Sequence, residues 1–214
     1  MTLDPTRLEG RRIWITGATG RLGRPLALAA AAAGAELVLT ARSAEALEEL
    51  AEEVRQAGGY AAALVADVSR DQDVRQAAES IGELVEGLDA LVGLASVRLD
   101  QGPLIEATAE TLNRSLAVNL RGAWLCARAA LPLMAGGGRI VHVLCEGDGA
   151  FEISQAALAA LSQILAGELR SSGILVNAID PAPFDEASIE AILALATLDD
   201  DGPTGGLFDK TLSA

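Results

Sequence analysis

A glycine-rich turn separates the first apolar strand from the first helix in a chain where short strands and helices alternate throughout. The run RIWIT (12–16) is followed at once by Gly17, Gly20 and Gly23, and an alanine-rich helix is predicted over 22–33. Short strands that are apolar on both faces, separated by helices, predict an α/β fold in which a parallel sheet is covered on both sides. Right-handed crossovers then give a three-layer, doubly wound, Rossmann-like sheet, with ligand sites at the carboxyl ends of the strands.

The same alternation continues to the end of the chain and predicts one domain over 1–214. Further strands are predicted over 36–40, 61–68, 88–95, 139–145 and 174–179, and the run 205–209 could close the sheet. Further helices are predicted over 44–56, 70–86, 109–134, 152–171 and 185–197. Ser43 precedes the second helix and is expected to cap it.

Charge and composition exclude several classes of function. The formal net charge of −14 would repel the phosphates of nucleic acids. The two cysteines, Cys126 and Cys145, are too far apart for a C-x-x-C metal motif, so neither a disulfide framework nor a metal site is expected. The first twelve residues contain no apolar stretch, and the apolar helical run at 25–35 is too short to span a bilayer. We therefore expect a cytoplasmic protein without a membrane or nucleic-acid partner.

The glycine turn itself suggests a phosphate site. Gly17, Gly20 and Gly23 permit a tight turn and a close backbone approach to a pyrophosphate at a helix N-terminus. The alternative is a tight turn between strand and helix that binds no ligand.

A set of motifs in fixed order resembles the short-chain dehydrogenase/reductase family over essentially the whole chain. The matching segments are TGATGRLG (16–23), Asp67-Val68, LVGLA (91–95), VNLRG (118–122), GRIV (138–141), SQAAL (154–158) and ILVNAIDP (174–181). The resemblance implies an NAD(P)-dependent oxidoreductase fold. Its nucleotide-binding half would be 1–100, and the half that carries catalysis and oligomerisation would be 101–214.

The resemblance also implies a set of cofactor contacts. These are Gly17, Thr19, Gly20, Arg21, Leu22, Gly23, Arg42, Asp67, Val68 and Ala95. Arg21 stands where the usual family loop has glycine. Arg42 follows the second strand, where NAD-preferring members carry an acid, and it resembles members that bind the 2′-phosphate of NADP through a guanidinium–phosphate contact. Arg42 could instead be a solvated arginine, and Asp67 could cap the next helix, so NADP(H) would bind weakly or not at all.

The catalytic pattern of the family is interrupted. Members use a tyrosine whose pKa is lowered by a lysine four residues later on one helix face, aided by a serine and an asparagine. Aligning SQAAL places Phe151 at the tyrosine position and Gln155 at the lysine position. Counting from GRIV places Cys145 at the serine position, while Asn119 is retained. Without the lysine, Asn119 is interpreted as a buried structural amide. No catalytic residue is therefore assigned.

A substitute pair is not available elsewhere in the sequence. The only tyrosine is Tyr60, at the start of a strand, and the only lysine is Lys210, directly after the run 205–209. Cys145 and Phe151 are six residues apart, about half the usual family spacing. The segment that shapes the substrate side is therefore expected to be missing.

Three hypotheses about function remain open. The first is a pseudoenzyme subunit that forms a homo-oligomer, or a hetero-oligomer with an active family paralogue, through the helices at 109–134 and 152–171. The small residues of the second helix could instead face the sheet. The second hypothesis is a sensor that binds NADP(H) without turnover, and the third is an oxidoreductase with a non-standard active site.

Overall fold

Seven parallel strands form a single sheet in the computed structural model, which describes residues 5–99 and 102–213. The strands are β1 (Arg12–Thr16), β2 (Glu36–Ala41), β3 (Tyr60–Val65), β4 (Ala90–Gly93), β5 (Gly138–Val143), β6 (Ile174–Asp180) and β7 (Leu207–Asp209). Their order across the sheet is β3-β2-β1-β4-β5-β6-β7. The predicted three-layer Rossmann-like domain is thus confirmed, and the run 205–209 does close the sheet.

Helices connect the strands on both faces. They are α1 (Gly23–Ala32), α2 (Ala44–Gln56), α3 (Asp71–Leu84), α4 (Ala109–Leu116), α5 (Ala123–Ala130), α6 (Gly149–Leu169) and α7 (Glu186–Ala196). As expected, the Ser43 hydroxyl caps α2 by accepting from the backbone N–H of Ala46 at 3.4 Å. None of the described helices is long and apolar enough to cross a membrane.

The core forms two apolar layers because successive strand residues point to opposite faces of the sheet. Ile13 and Ile15 of β1 belong to the layer under α1, α2 and α7, whereas Trp14 lies in the layer under α3, α5 and α6. The Trp14 indole N–H is buried and donates to the Thr40 hydroxyl at 2.7 Å. That bond satisfies a donor which burial would otherwise leave without a partner.

Most predicted elements have bounds within three residues of those in the structure, and two of the differences bear on the crevice. The third strand was expected over 61–68 but ends at Val65, because its one neighbour β2 ends at Ala41 and offers no further backbone groups for pairing. The predicted continuous helix at 109–134 comprises α4, a π-helical segment Ala117–Gly122, α5 and a terminal 3₁₀ turn with a proline. Both departures place loop or distorted-helix residues beside the carboxyl edge of the sheet.

Strand order determines where a ligand can enter. The chain runs outward from β1 to β2 and β3 on one side, and then returns to the other side of β1 to form β4. The loops after β1 and β4 therefore diverge to opposite sides and leave a crevice at their carboxyl ends. The cavity described below opens at this crevice.

Candidate functional site

A cavity of about 330 Å³ opens at the crevice. All ten residues that the sequence assigns to cofactor binding line it: Gly17, Thr19, Gly20, Arg21, Leu22, Gly23, Arg42, Asp67, Val68 and Ala95. The remaining lining residues are Thr40, Ala41, Ala66, Leu94, Ser96, Val97, Val118, Val143, Cys145 and Phe184. The fold therefore brings together residues that are as far apart as 17 and 184 in the sequence.

Gly17 and Gly23, at the two ends of the glycine turn, are packed too tightly to carry side chains. Gly17 has a φ of +69°, and a Cβ there would lie 2.7 Å from the backbone nitrogen of Ala95. A Cβ at Gly23, the first residue of α1, would lie 2.6 Å from the carbonyl oxygen of Ala18. The turn thus exposes backbone and the start of α1 to the cavity, an arrangement that suits a phosphate.

Two charged groups face the cavity beyond β2 and β3. Arg42 follows β2 and is exposed along the cavity wall, and Asp67 lies in the loop after β3. The Asp67 carboxylate accepts from the Ser69 N–H at 2.9 Å and from the Ser69 hydroxyl at 2.7 Å, so it orders its own turn and makes no cap on α3. Partial burial opposes ionisation of Asp67, but the Ser69 bonds and the guanidinium of Arg42 outweigh it and lower the pKa of this carboxyl.

The opposite end of the cavity is apolar. Val143 and Cys145, from the end of β5, and Phe184, which follows β6, form this wall. The guanidinium of Arg21 lies 5.2 Å from the centre of the Phe184 ring, a cation–π contact between the glycine turn and the far wall. Burial raises the pKa of the Cys145 thiol, and nearby Asp180 adds to the effect, so the group is protonated at neutral pH.

Phe151 does not reach the cavity. Its ring is buried in the first turn of α6, and the Arg98 guanidinium lies 4.5 Å from the ring centre. Arg98 also donates to the carbonyl oxygen of Glu146, and Gly147 packs against the ring face so closely that a Cβ would collide with it. The short loop between β5 and α6 is thus closed over Phe151 by Arg98.

The Gln155 side chain makes a hydrogen bond to the backbone of Cys145. Its side-chain oxygen accepts from the backbone N–H of Cys145 at 3.0 Å. Its Nε2 is buried and has no hydrogen-bond partner within the described part of the chain. Gln155 is not among the residues that line the cavity, so this amide fixes the loop after β5 instead of facing a ligand.

The buried Asn119 side chain holds the loop after β4 against α6. It lies in the π-helical segment, is 1% exposed, and accepts from the Val97 N–H at 2.7 Å. Its amide donates to the Val97 carbonyl at 3.0 Å and to the Ser154 hydroxyl at 2.8 Å. These bonds tie the loop after β4 to α6, the role that the sequence interpretation expected for a buried amide.

The remaining candidate groups lie apart from the cavity. Tyr60 begins β3 at the amino edge of the sheet, and Lys210 pairs with Asp185. The His142 ring nitrogen Nδ1 bonds to the Ser162 hydroxyl at 2.8 Å inside the protein. Within residues 5–99 and 102–213, no cluster of three metal-ligating side chains occurs. The sequence interpretation missed Arg98 and Phe184, because both act through contacts across loops that leave no local motif.

Comparisons with known proteins agree with this geometry. A family model described as "Enoyl-(Acyl carrier protein) reductase" matches residues 17–202. The oxidoreductase UcpA of Salmonella typhimurium is 35% identical over 206 residues, which cover 91% of this chain and 77% of that protein. The chain belongs to the short-chain dehydrogenase/reductase family.

Two further members illustrate how closely sequence and fold follow the family. An Arabidopsis thaliana protein named "NADPH-dependent aldehyde reductase-like protein, chloroplastic" is 33% identical over 204 residues, or 84% of this chain and 74% of the relative. The citronellol catabolism dehydrogenase AtuB of Pseudomonas aeruginosa superimposes with a TM-score of 0.89 at 25% identity, covering 96% of this chain and 95% of AtuB. In this short-chain dehydrogenase/reductase, the sheet and crevice of the family are retained.

Proposed function

We propose that this protein is a non-catalytic member of its family, a pseudoenzyme that binds NADP(H) in the cavity and acts through assembly with itself or with an active relative. The observation that carries the proposal is the pair Phe151 and Gln155, at the positions of the family's tyrosine and lysine. Neither side chain can deliver a proton to a substrate oxygen. Loss of a positioned general acid costs a factor of about 10² to 10⁴ in rate.

The surroundings of these two residues support the proposal. The buried Phe151 ring lies under Arg98, and Gln155 is held by Cys145. The thiol of Cys145 is protonated at neutral pH because burial raises its pKa. The catalytic position is therefore filled by packed and hydrogen-bonded groups, and not by a titratable pair.

Nucleotide binding is supported by the other end of the cavity. The chain packs so closely around Gly17 and Gly23 that neither position can carry a Cβ, and this tight turn brings backbone and the start of α1 to the place where a pyrophosphate would bind. Arg42 provides a charged, bidentate donor for a 2′-phosphate, and Asp67 and Val68 would hold the adenosine. A bound NADPH would supply hydride. The chain's own residues would hold the nucleotide but would offer no positioned proton donor for the oxygen of a carbonyl that accepted the hydride.

Assembly is supported by the outer face of α6. Small and apolar side chains form an exposed stripe along this helix: Ile153, Ala156, Ala160, Ile164 and Gly167. On α5, Trp124 is 39% exposed. The small residues of α6 thus face outward as well as toward the sheet, and they permit the close helix–helix approach that an oligomer would use.

A turnover assay tests the catalytic part of the proposal. The purified chain is mixed with NADPH and a panel of aldehydes and ketones, and NADPH consumption is compared with a protein-free blank. We expect no consumption above the blank. Turnover with any carbonyl, especially turnover that Phe151→Tyr with Gln155→Lys accelerates, would instead identify an oxidoreductase with a non-standard active site.

A mass measurement tests the assembly part. We expect light scattering to give a dimer or larger species, and Ile164→Glu, which places a charge on the α6 stripe, to shift it toward the monomer. The matched control is Leu84→Glu, an exposed leucine at the end of α3. A monomeric wild-type chain that also fails to co-purify with any intact relative would contradict assembly. If such a monomer still bound NADPH, it would fit the second candidate, a stand-alone NADP(H) sensor.

A further inference from the structure

The two ends of the cavity offer a nucleotide very different contacts. We propose that the cavity recognises only the 2′-phosphoadenosine diphosphate half of NADP(H), so that the protein binds the oxidised and reduced forms equally well. The inference rests on the nucleotide binding proposed above. It deepens that function by naming which half of the ligand is recognised.

Recognition groups concentrate on the side of β1, β2 and β3. The glycine turn after β1 would present its backbone to a pyrophosphate. Arg42, which follows β2, is exposed on the cavity wall. Asp67 and Val68 come from the loop after β3. Because the pyrophosphate occupies the turn at the centre of the crevice, the adenosine would extend toward Arg42 and Asp67.

The nicotinamide half would have to extend the other way, over β4, β5 and β6. There the wall consists mainly of Val143, Cys145 and Phe184, none of which carries a charged or strong hydrogen-bonding side chain. The polar groups nearby are the weak thiol donor of Cys145, the Ser96 hydroxyl after β4 and the Arg21 guanidinium, which is stacked on the Phe184 ring. A ribose and a carboxamide placed here would lose more hydrogen bonds to water than these groups replace, which offsets the gain from apolar contact.

The groups that could have filled this gap are committed elsewhere. Arg98 is not available to a nucleotide, because its guanidinium stacks on the Phe151 ring and donates to the Glu146 carbonyl. Gln155 accepts from the Cys145 N–H, and its buried Nε2 lies outside the cavity lining. Binding the nicotinamide ribose would require one of these contacts to break.

The charged groups that could recognise a nucleotide phosphate are unevenly distributed along the cavity. The cavity, about 330 Å³ in volume, extends from Arg42 and Asp67 at one end to Cys145 and Phe184 at the other. Such a protein would respond to the total amount of NADP(H) and not to its redox state.

Calorimetric titrations with parts of the nucleotide test the inference. The ligands are NADPH, NADP⁺, 2′-phospho-ADP-ribose, which lacks nicotinamide, and reduced nicotinamide mononucleotide, which lacks the adenosine half. We expect the first three dissociation constants to agree within about fivefold, about 1 kcal/mol, and the mononucleotide to give no binding. A larger difference among the first three, or saturable binding of the mononucleotide, would overturn the inference.

Variants separate this inference from the proposed function. Arg42→Glu should weaken NADPH and 2′-phospho-ADP-ribose by the same factor, whereas Arg170→Glu, an exposed arginine close to the amino end of β6, should weaken neither. Gln155→Met should also leave both affinities unchanged. If it weakened NADPH alone, Gln155 would be a nicotinamide-half ligand and the inference would be wrong. If no nucleotide bound the wild-type chain, nucleotide binding itself, and with it the proposed function, would be contradicted.

Discussion

Removing the Asn119 side chain tests whether this retained family residue has a structural role. In Asn119→Ala, the Val97 N–H and carbonyl both lose the side-chain partner that holds them, at 2.7 and 3.0 Å. The Ser154 hydroxyl loses a donor at 2.8 Å but keeps its own bond to the Phe151 carbonyl. The loop after β4 would then lose its buried hydrogen bonds to Asn119 and keep the surface contacts of Arg98 with Phe151 and with the Glu146 carbonyl.

The expected cost follows from these three groups. Each lost bond to a neutral buried or part-buried group costs about 1 kcal/mol, and more where water cannot replace the partner. Three such losses give about 3 kcal/mol in the free energy of unfolding. For a chain of 214 residues this corresponds to a fall in melting temperature of about 6–12 °C.

Urea denaturation followed by circular dichroism measures this cost. Asn119→Asp preserves the volume but replaces the donor facing the Val97 carbonyl with a second acceptor, so it should be destabilised at least as much as the alanine variant. The control is Asn113→Ala at an exposed position of α4, which should change stability by no more than about 0.5 kcal/mol. If both Asn119 variants lowered the free energy of unfolding by less than about 1 kcal/mol, Asn119 would not have the structural role of holding the loop after β4 against α6.

Three further predictions concern the cavity and its surroundings. Arg42→Glu should weaken NADPH binding at least about tenfold and leave NADH binding almost unchanged, because only NADPH offers a 2′-phosphate to the guanidinium. Equal losses of NADPH and NADH affinity in a fluorescence titration would contradict a 2′-phosphate contact at Arg42. Because burial raises the pKa of the Cys145 thiol, a thiol reagent should react with it slowly at neutral pH and faster as the pH rises. Bound NADPH should protect this thiol. Cys126, whose pKa is raised to about 12, should stay unreactive. Burial lowers the pKa of His142 from 6.5 to about 4. Between pH 6.5 and 4 the unfolded chain therefore binds a proton at His142 that the folded chain does not bind. The free energy of unfolding should fall by about 3 kcal/mol as the pH drops through this range. His142→Gln should lack that part of the pH dependence in denaturation curves.

Most of the fold could be predicted because its signals are local. The alternation of apolar strands and helices determines the sheet, and Gly17 and Gly23 mark the turn between β1 and α1 because no other residue fits there. The end of β3 could not be predicted in the same way. The run 61–68 is apolar through Ala66, and Val68 is apolar as well, but pairing stops where β2 ends, and that limit belongs to the neighbouring strand.

The candidate site was only partly predictable for a related reason. Family motifs place the residues that line the adenosine side, including Arg42 and Asp67, because each follows directly after a strand. The contacts that close the opposite side join residues distant in sequence, as when Arg98 stacks on Phe151 and Arg21 on Phe184. Loop conformation brings these pairs together, and no spacing in the sequence encodes it.

A calorimetric titration of the purified chain with NADPH tests the central claim most directly, because the account requires a family cavity that still binds nucleotide. We expect saturable binding with a micromolar dissociation constant. We expect Gly23→Ala, confirmed as folded by circular dichroism, to lose that binding, because its Cβ would lie against the Ala18 carbonyl in the phosphate turn. Absence of binding to the wild-type chain up to millimolar NADPH, or unchanged binding in Gly23→Ala, would contradict the account.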